Sequence, residues 1–331
     1  MELYNLQTHK LMVTKGSIMT TENLPSASSS SRGSHAPDGR SSAVPQVHYR
    51  VEQVGDVNVF YREAGDPAAP SVLLLHGFAA SSYMWRDVIE ALADGYHVIA
   101  PDLPAFGYTE APERGQYDYT FANLAKTIDR FTDQLKLTRY AIAVHDYGAP
   151  VGWRLALAHP SRITAIISQN GNAYEEGLSA GWEPIRKYWN DPTTENRQAL
   201  SDFPTPASIK WQYVEGVSDT SVVAPDAYTL EGAHISRPGM ADIQLDLLLD
   251  YATNVEQYPA FQAYFREYQP PLLSVWGKHD PFFLPPGAEA WKRDIPNADI
   301  RFYDTGHFAL ETHGDVIIPV IREFLDAHVK A

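Results

Sequence analysis

Between Tyr140 and Pro160 the chain reads YAIAVHDYGAPVGWRLALAHP, and few folds accept such a stretch. Tyr140 to Val144 is short, apolar and rich in β-formers, so it reads as a buried strand. Gly148 to His159 carries apolar residues at helical spacing (Val151, Leu155, Leu157, Ala158) and stops at Pro160. Only a polar knot, His145-Asp146-Tyr147, separates the two. A strand that becomes a helix within three residues forces the middle side chain into a strained, exposed position at a helix N-terminus. That is the geometry of a nucleophile elbow, and here the elbow carries Asp146.

The rest of the chain fits around this unit. VHYRVEQV and VNVFYREAG, split by Gly55-Asp56, read as a hairpin at a sheet edge. SVLLLHGF (71–78) and HVIAPDLPAFG (97–107) are buried strands running into polar or Pro/Gly loops, and Trp85 to Ala93 and Phe121 to Leu135 are helices. ITAIISQNG (163–171), LLSVWGKHD (272–280) and ADIRFYDTGHF (298–308) supply three more strands. Gly287 to Arg293 and Val316 to Val329 supply the last helices. Strand alternates with helix, which predicts a doubly wound, mostly parallel sheet. The rhythm breaks between 172 and 258, where aromatics are dense and the spacing is helical or irregular; this stretch reads as an inserted helical cap. The core is then 46–171 and 259–331. Residues 1–45 contain a run of Ser, Ala, Arg and Gly that cannot offset its ordering entropy by burial, so they read as a disordered tail.

Composition excludes several functions. A formal net charge of -15 argues against nonspecific nucleic-acid binding and against docking on anionic membranes. The chain has no cysteine, hence no disulfide, no thiol nucleophile and no thiolate metal site. No run of roughly 18 apolar residues predicts a transmembrane helix. A signal-peptide pattern is missing, and the expected location is cytoplasmic. Neither a Gly-rich nucleotide motif nor a metal spacing such as H-E-x-x-H is present, so the expectation is no cofactor and no metal. Oligomeric state is not readable.

Ligands in open α/β sheets bind at the carboxyl ends of the strands, and His76, Asp146, Asp280 and His307 all sit at or just past strand ends. Gly177-Leu178-Ser179-Ala180-Gly181 matches G-x-S-x-G letter by letter, but it follows a polar stretch rather than a strand, so Ser179 is not read as a nucleophile. His145 reads as structural, and Asp304 lies on the same strand end as His307, which makes it a poorer partner than Asp280.

Taken together, His76-Gly77-Phe78, Pro101-Asp102-Leu103-Pro104, His145-Asp146-Tyr147-Gly148, Trp276-Gly277-Lys278-His279-Asp280-Pro281 and Gly306-His307-Phe308 resemble the α/β-hydrolase superfamily from about residue 47 to the C-terminus. The resemblance implies the α/β-hydrolase fold and a triad in the order Asp146, Asp280, His307. An Asp at the elbow resembles the branch of epoxide hydrolases and haloalkane dehalogenases, in which the carboxylate forms an alkyl-enzyme ester that a histidine-activated water hydrolyses. By the same analogy the backbone N–H groups of Phe78 and Tyr147 form the oxyanion hole. Asn170 and Asn172 occupy the acid position of some relatives and cannot serve as carboxylates.

The substrate implied is a small apolar epoxide, hydrolysed to a diol. Epoxide hydrolases use paired cap tyrosines to protonate the ring oxygen. The cap here offers six, of which Tyr251 is the better candidate and Tyr213, Tyr188 or Tyr174 the second. Dehalogenases carry Trp after the nucleophile and Asn after His-Gly, where this chain has Tyr147 and Phe78. Three departures from the epoxide-hydrolase pattern stand out: Tyr147 for Trp, Ala79 for Pro after His-Gly-Phe, and Ala105 for Gly in the Pro-Gly-Phe-Gly loop. Haloalkane dehalogenase, and a cofactor-independent oxygenase or noncatalytic binding relative on the same scaffold, remain the alternatives.

Overall fold

The computed structural model describes residues 46–329. The expected tail, 1–45, lies outside the described residues. Eight strands form one sheet: β1 (His48–Val54), β2 (Val57–Ala64), β3 (Ser71–Leu75), β4 (His97–Pro101), β5 (Tyr140–His145), β6 (Ile163–Gln169), β7 (Leu272–Gly277) and β8 (Asp299–Tyr303). Their order across the sheet is β1-β2-β4-β3-β5-β6-β7-β8. The hairpin β1–β2 and the β2–β4 pair are antiparallel, and every pair from β4 onward is parallel. The pattern follows burial. β4, β5 and β7 are buried at every position, as continuous apolar runs in a sheet covered on both faces must be. The edge strand β1 leaves Tyr49 and Val51 in solvent.

Helices α1 (Arg86–Leu92), α2 (Phe121–Gln134) and α3 (Gly148–Ala158) follow β3, β4 and β5. Thr120 caps α2 by accepting the N–H of Asn123. α3 is apolar on nearly every side and buried on nearly every side, as its position behind β5 requires. Between β6 and β7 the chain leaves the sheet for six helices: α4 (Glu183–Asn190), α5 (Thr194–Gln198), α6 (Pro206–Val214), α7 (Pro225–Ile235), α8 (Met240–Asp250) and α9 (Ala252–Tyr268). The boundary expected at 258 falls inside α9, which continues without a break to Tyr268. Hydrogen bonds tie this segment to the sheet domain, among them Ser81 Oγ to Glu231 Oε1 at 2.6 Å, Phe121 N–H to Asp250 at 2.7 Å, Arg154 to Asn254 at 2.6 Å, and Trp182 Nε1 to the Phe282 carbonyl at 3.1 Å.

The C-terminal elements differ from expectation in two places. The helix read over 287–293 is two short turns, α10 (Pro285–Glu289) and α11 (Trp291–Asp294), meeting at Ala290. The closing helix α12 (Ala309–His328) starts seven residues before Val316, because Ala309 and Leu310 are buried in its first turn, and it kinks at His313. Among the described residues, no helix is long and apolar enough to cross a membrane.

The parallel register brings the strand ends together. Leu75 pairs with Val144, His145 with Gln169, Gln169 with Val275, and Gly277 with Tyr303. Residues following these positions therefore gather at one edge, beneath α4–α9.

Candidate active site

Asp146 connects β5 to α3 with φ +46°, a left-handed conformation that costs a non-glycine residue about 1–2 kcal/mol. Two glycines make the turn fit. A Cβ on Gly77 would overlap the Asp146 side chain, and one on Gly148 would overlap the Leu75 carbonyl. So tight a turn leaves no freedom to the carboxylate. Its Oδ1 accepts the N–H groups of Phe78 and Tyr147, both at 2.6 Å. Its Oδ2 faces His307, whose Nε2 lies 3.8 Å away.

His307 follows β8 and is buried. Its Nδ1 donates to Asp280 Oδ2 at 2.6 Å, which leaves Nε2 as the nitrogen facing Asp146. Asp280 is buried too, and each of its oxygens is bonded. Oδ1 accepts the N–H groups of Phe282 and Phe283 at 2.8 and 3.0 Å, and Oδ2 also accepts from Asn170 Nδ2 at 2.7 Å. Asn170, at φ +48°, uses its Oδ1 to take the Gly277 N–H at 3.0 Å. It thus bridges the ends of β6 and β7 and fixes the acid. The sequence marked Asn170 only as a non-carboxylate; its sole signal was its place at a strand end.

The charges follow from burial and neighbours. Burial pushes Asp146 up to about 6, against the opposing pull of His307 and the two N–H groups. For His307 burial works downward, but the charge and hydrogen bond of Asp280 and the charge of Asp146 outweigh it, so its pKa is raised. His145 lies against His307, ring centroids 4.4 Å apart, and donates from Nδ1 to the Gln169 carbonyl. Burial first, and His307 second, push it well below the ordinary histidine value, so it stays neutral.

The supporting loops are tied to one another. His76 Nδ1 meets the Gly77 carbonyl at 3.0 Å, and its Nε2 accepts the Leu103 N–H at 2.9 Å. Asp102 accepts the N–H groups of Ser82 and Tyr108. Ser179, the decoy serine, donates to the Pro281 carbonyl at 2.6 Å, so its hydroxyl braces the loop that carries Asp280. Asp304 is on the surface, paired with His279.

The sequence model of the alpha/beta hydrolase fold matches residues 70–314. This chain belongs to the α/β-hydrolase family. It is 46% identical to an uncharacterized hydrolase of Saccharomyces cerevisiae over 281 residues, covering 84% of this chain and 95% of the yeast protein. It is 38% identical to epoxide hydrolase A of Mycobacterium tuberculosis over 120 residues, 36% of this chain and 37% of that protein. A haloalkane dehalogenase of Psychrobacter cryohalolentis is 26% identical over 309 residues, 87% of this chain and 96% of its own. In three dimensions the chain is similar to an epoxide hydrolase from Vigna radiata, with a TM-score of 0.68 at 23% identity over 85% of this chain and 98% of that one.

In this α/β hydrolase the four candidate tyrosines separate cleanly. Tyr251, at the joint of α8 and α9, is buried with its ring 5.7 Å from that of Tyr147. Burial, then Tyr258 and Asp146, push its pKa well above the ordinary tyrosine value, so its phenol keeps its proton. Tyr213 stacks on Phe308, the residue after His307, at 3.8 Å. The hydroxyls of the other two have charged partners. Tyr174 donates its hydroxyl to Asp294, and Tyr188 accepts from Arg197. These charged partners weigh against either as the second proton donor. Tyr147 itself packs against Phe78, Phe106 and Phe121, and its buried hydroxyl has no hydrogen-bond partner.

Proposed function

We propose that this protein hydrolyses epoxides to diols through an alkyl-enzyme ester on Asp146, without a cofactor, with α4–α9 forming the cap over the site. One observation carries the reading: Asp146 has one oxygen fixed by two N–H donors and the other free toward a histidine backed by a buried acid. Oδ2 attacks an epoxide carbon, the carbon–oxygen bond breaks, and the ring oxygen takes a proton from a tyrosine hydroxyl. Tyr251 is that donor; Tyr213 is the second. His307 then removes a proton from water as the water adds to Cγ. The negative charge collects on Oδ1, where the N–H groups of Phe78 and Tyr147 already point. Collapse breaks the bond between Cγ and Oδ2, and the departing alkoxide takes the proton from His307. A diol leaves, and the proton remaining on the new carboxyl group returns to the tyrosinate, which restores both the carboxylate and the phenol.

The epoxide hydrolase relative supports this choice of substrate, and the dehalogenase relative supports the same first step on a halide. The side chains flanking the carboxylate weigh against halide release, because those of Phe78 and Tyr147 carry no N–H. The indoles of Trp182 and Trp189, which surround Tyr251, donate to the carbonyls of Phe282 and Leu248.

The test is intact-mass measurement of His307→Gln after incubation with a panel of epoxides and haloalkanes, beside diol and halide assays of the wild type. The expected result is an epoxide adduct mapped to Asp146 and diol release by the wild type. Halide release without epoxide turnover, or no adduct from any member of the panel, overturns the proposal.

A further inference from the structure

Asp146 and His307 are buried, yet a groove of about 590 Å³ lies on the far side of two aromatic rings that touch their surroundings. Phe203, in the loop between α5 and α6, stacks on Phe78 with centroids 4.6 Å apart. Phe78 is the residue whose N–H holds Asp146 Oδ1. Phe282 sits edge-on to the His307 ring at 6.0 Å. The two rings meet each other at 6.0 Å, and Trp211 closes on Phe282 at 5.8 Å. Phe203, Phe282 and Trp211 all line the groove, with Ile185, Leu200 and Ala207 among its other walls. One partition thus has the groove on one side and the reacting groups on the other. The lining is mostly apolar, contains no Lys or Arg, and has Asp202 as its charged member. Such a surface accepts a neutral apolar chain and disfavours an anionic one. The volume is within the range of small-molecule sites.

We propose that this groove binds a neutral alkyl or aryl arm of the substrate, which passes between Phe203 and Phe282 to place its reactive end at Asp146. The proposal rests on the hydrolase reading for the identity of that end, but not for the groove itself. Burial of each methylene is worth about fourfold in kcat/KM, which is the scale to look for.

The experiment compares epoxybutane, epoxyhexane, epoxyoctane and epoxydecane on wild type and on two variants that plug the groove from exposed positions, Ala207→Trp and Ala199→Trp. Neither residue touches Asp146, Asp280 or His307. Wild type should gain about fourfold per methylene. Both variants should lose the rise of kcat/KM with chain length. An unchanged slope in the variants overturns the proposal. Calorimetric titration with butanamide and decanamide, which cannot react, reads the groove without chemistry. Decanamide should bind wild type with a negative heat-capacity change and bind either variant at least tenfold more weakly. Equal binding to wild type and variants, or no binding to wild type, overturns the proposal. If no epoxide is turned over while decanamide binding still depends on Ala207, the groove stands and the epoxide reading falls.

Discussion

Replacing Asp146 by Asn is expected to abolish turnover and to make the protein more stable at neutral pH. The carboxylate is buried and its pKa is pushed from 3.8 to about 6. At about 1.36 kcal/mol per pH unit, holding that group ionised in the folded state costs about 3 kcal/mol. The folded protein binds the proton more tightly than the unfolded chain does. The associated stability is therefore fully present below pH 3.8 and is lost as the pH rises through about 6. Asn keeps an oxygen for the N–H groups of Phe78 and Tyr147 and never ionises. Wild type and variant should thus be nearly equally stable near pH 4 and diverge to about 3 kcal/mol at pH 7. The charge of Asp146 also helps to raise the pKa of His307, so its loss trims the gain and makes 3 kcal/mol an upper bound. In a domain of this order the gap corresponds to roughly 6–10 °C in Tm. Urea unfolding at a series of pH values measures it. A variant less stable than wild type at pH 7, or a gap that does not close toward pH 4, would refute the argument that burial sets the state of this carboxylate.

Three further outcomes are expected. Tyr251→Phe should slow adduct formation by about 100-fold, as loss of an oriented donor does, while Tyr174→Phe and Tyr188→Phe leave it within about twofold because their hydroxyls are bonded to Asp294 and Arg197. Single-turnover alkylation should rise with pH through about 6, since only ionised Asp146 attacks; a flat profile from pH 5 to 8 would exclude Asp146 as the titrating nucleophile. Ala105→Gly should stabilise the fold by about 1 kcal/mol, because Ala105 sits at φ +81°, and chemical denaturation reads the change directly.

The elements nearest the site were the most legible in the sequence. β5 is an unbroken apolar run, and the polar residue after it has only the turn to occupy, so Asp146 could be placed without coordinates. Asp280 and His307 were legible from their places past the ends of β7 and β8 and from the motifs Trp276-Gly277-Lys278-His279-Asp280-Pro281 and Gly306-His307-Phe308. Legibility ended where function depends on which way a side chain turns. Nothing in the spacing of Tyr174, Tyr188, Tyr213 and Tyr251 says that two hydroxyls are taken by Asp294 and Arg197. Asn170 was marked only as a non-carboxylate, because its work is to hold Asp280, a task that leaves no mark in residue type. The closing helix was read too short because its amphipathic pattern begins at Val316, whereas its first turn is held by the burial of Ala309 and Leu310. Ala105 was marked as a departure, and its positive φ gives that departure a conformational cost.

The fixed orientation of the Asp146 carboxylate has an isotopic consequence. Because Oδ1 is bound by two N–H groups and only Oδ2 is free, the two oxygens have different fates under this chemistry. Oδ2 leaves in the product, water takes its place, and Oδ1 stays. In heavy-oxygen water the first diol made by each molecule would therefore carry light oxygen at the carbon that was attacked, and every later one heavy. The protein would retain a single labelled oxygen on Asp146 however many turnovers it completed.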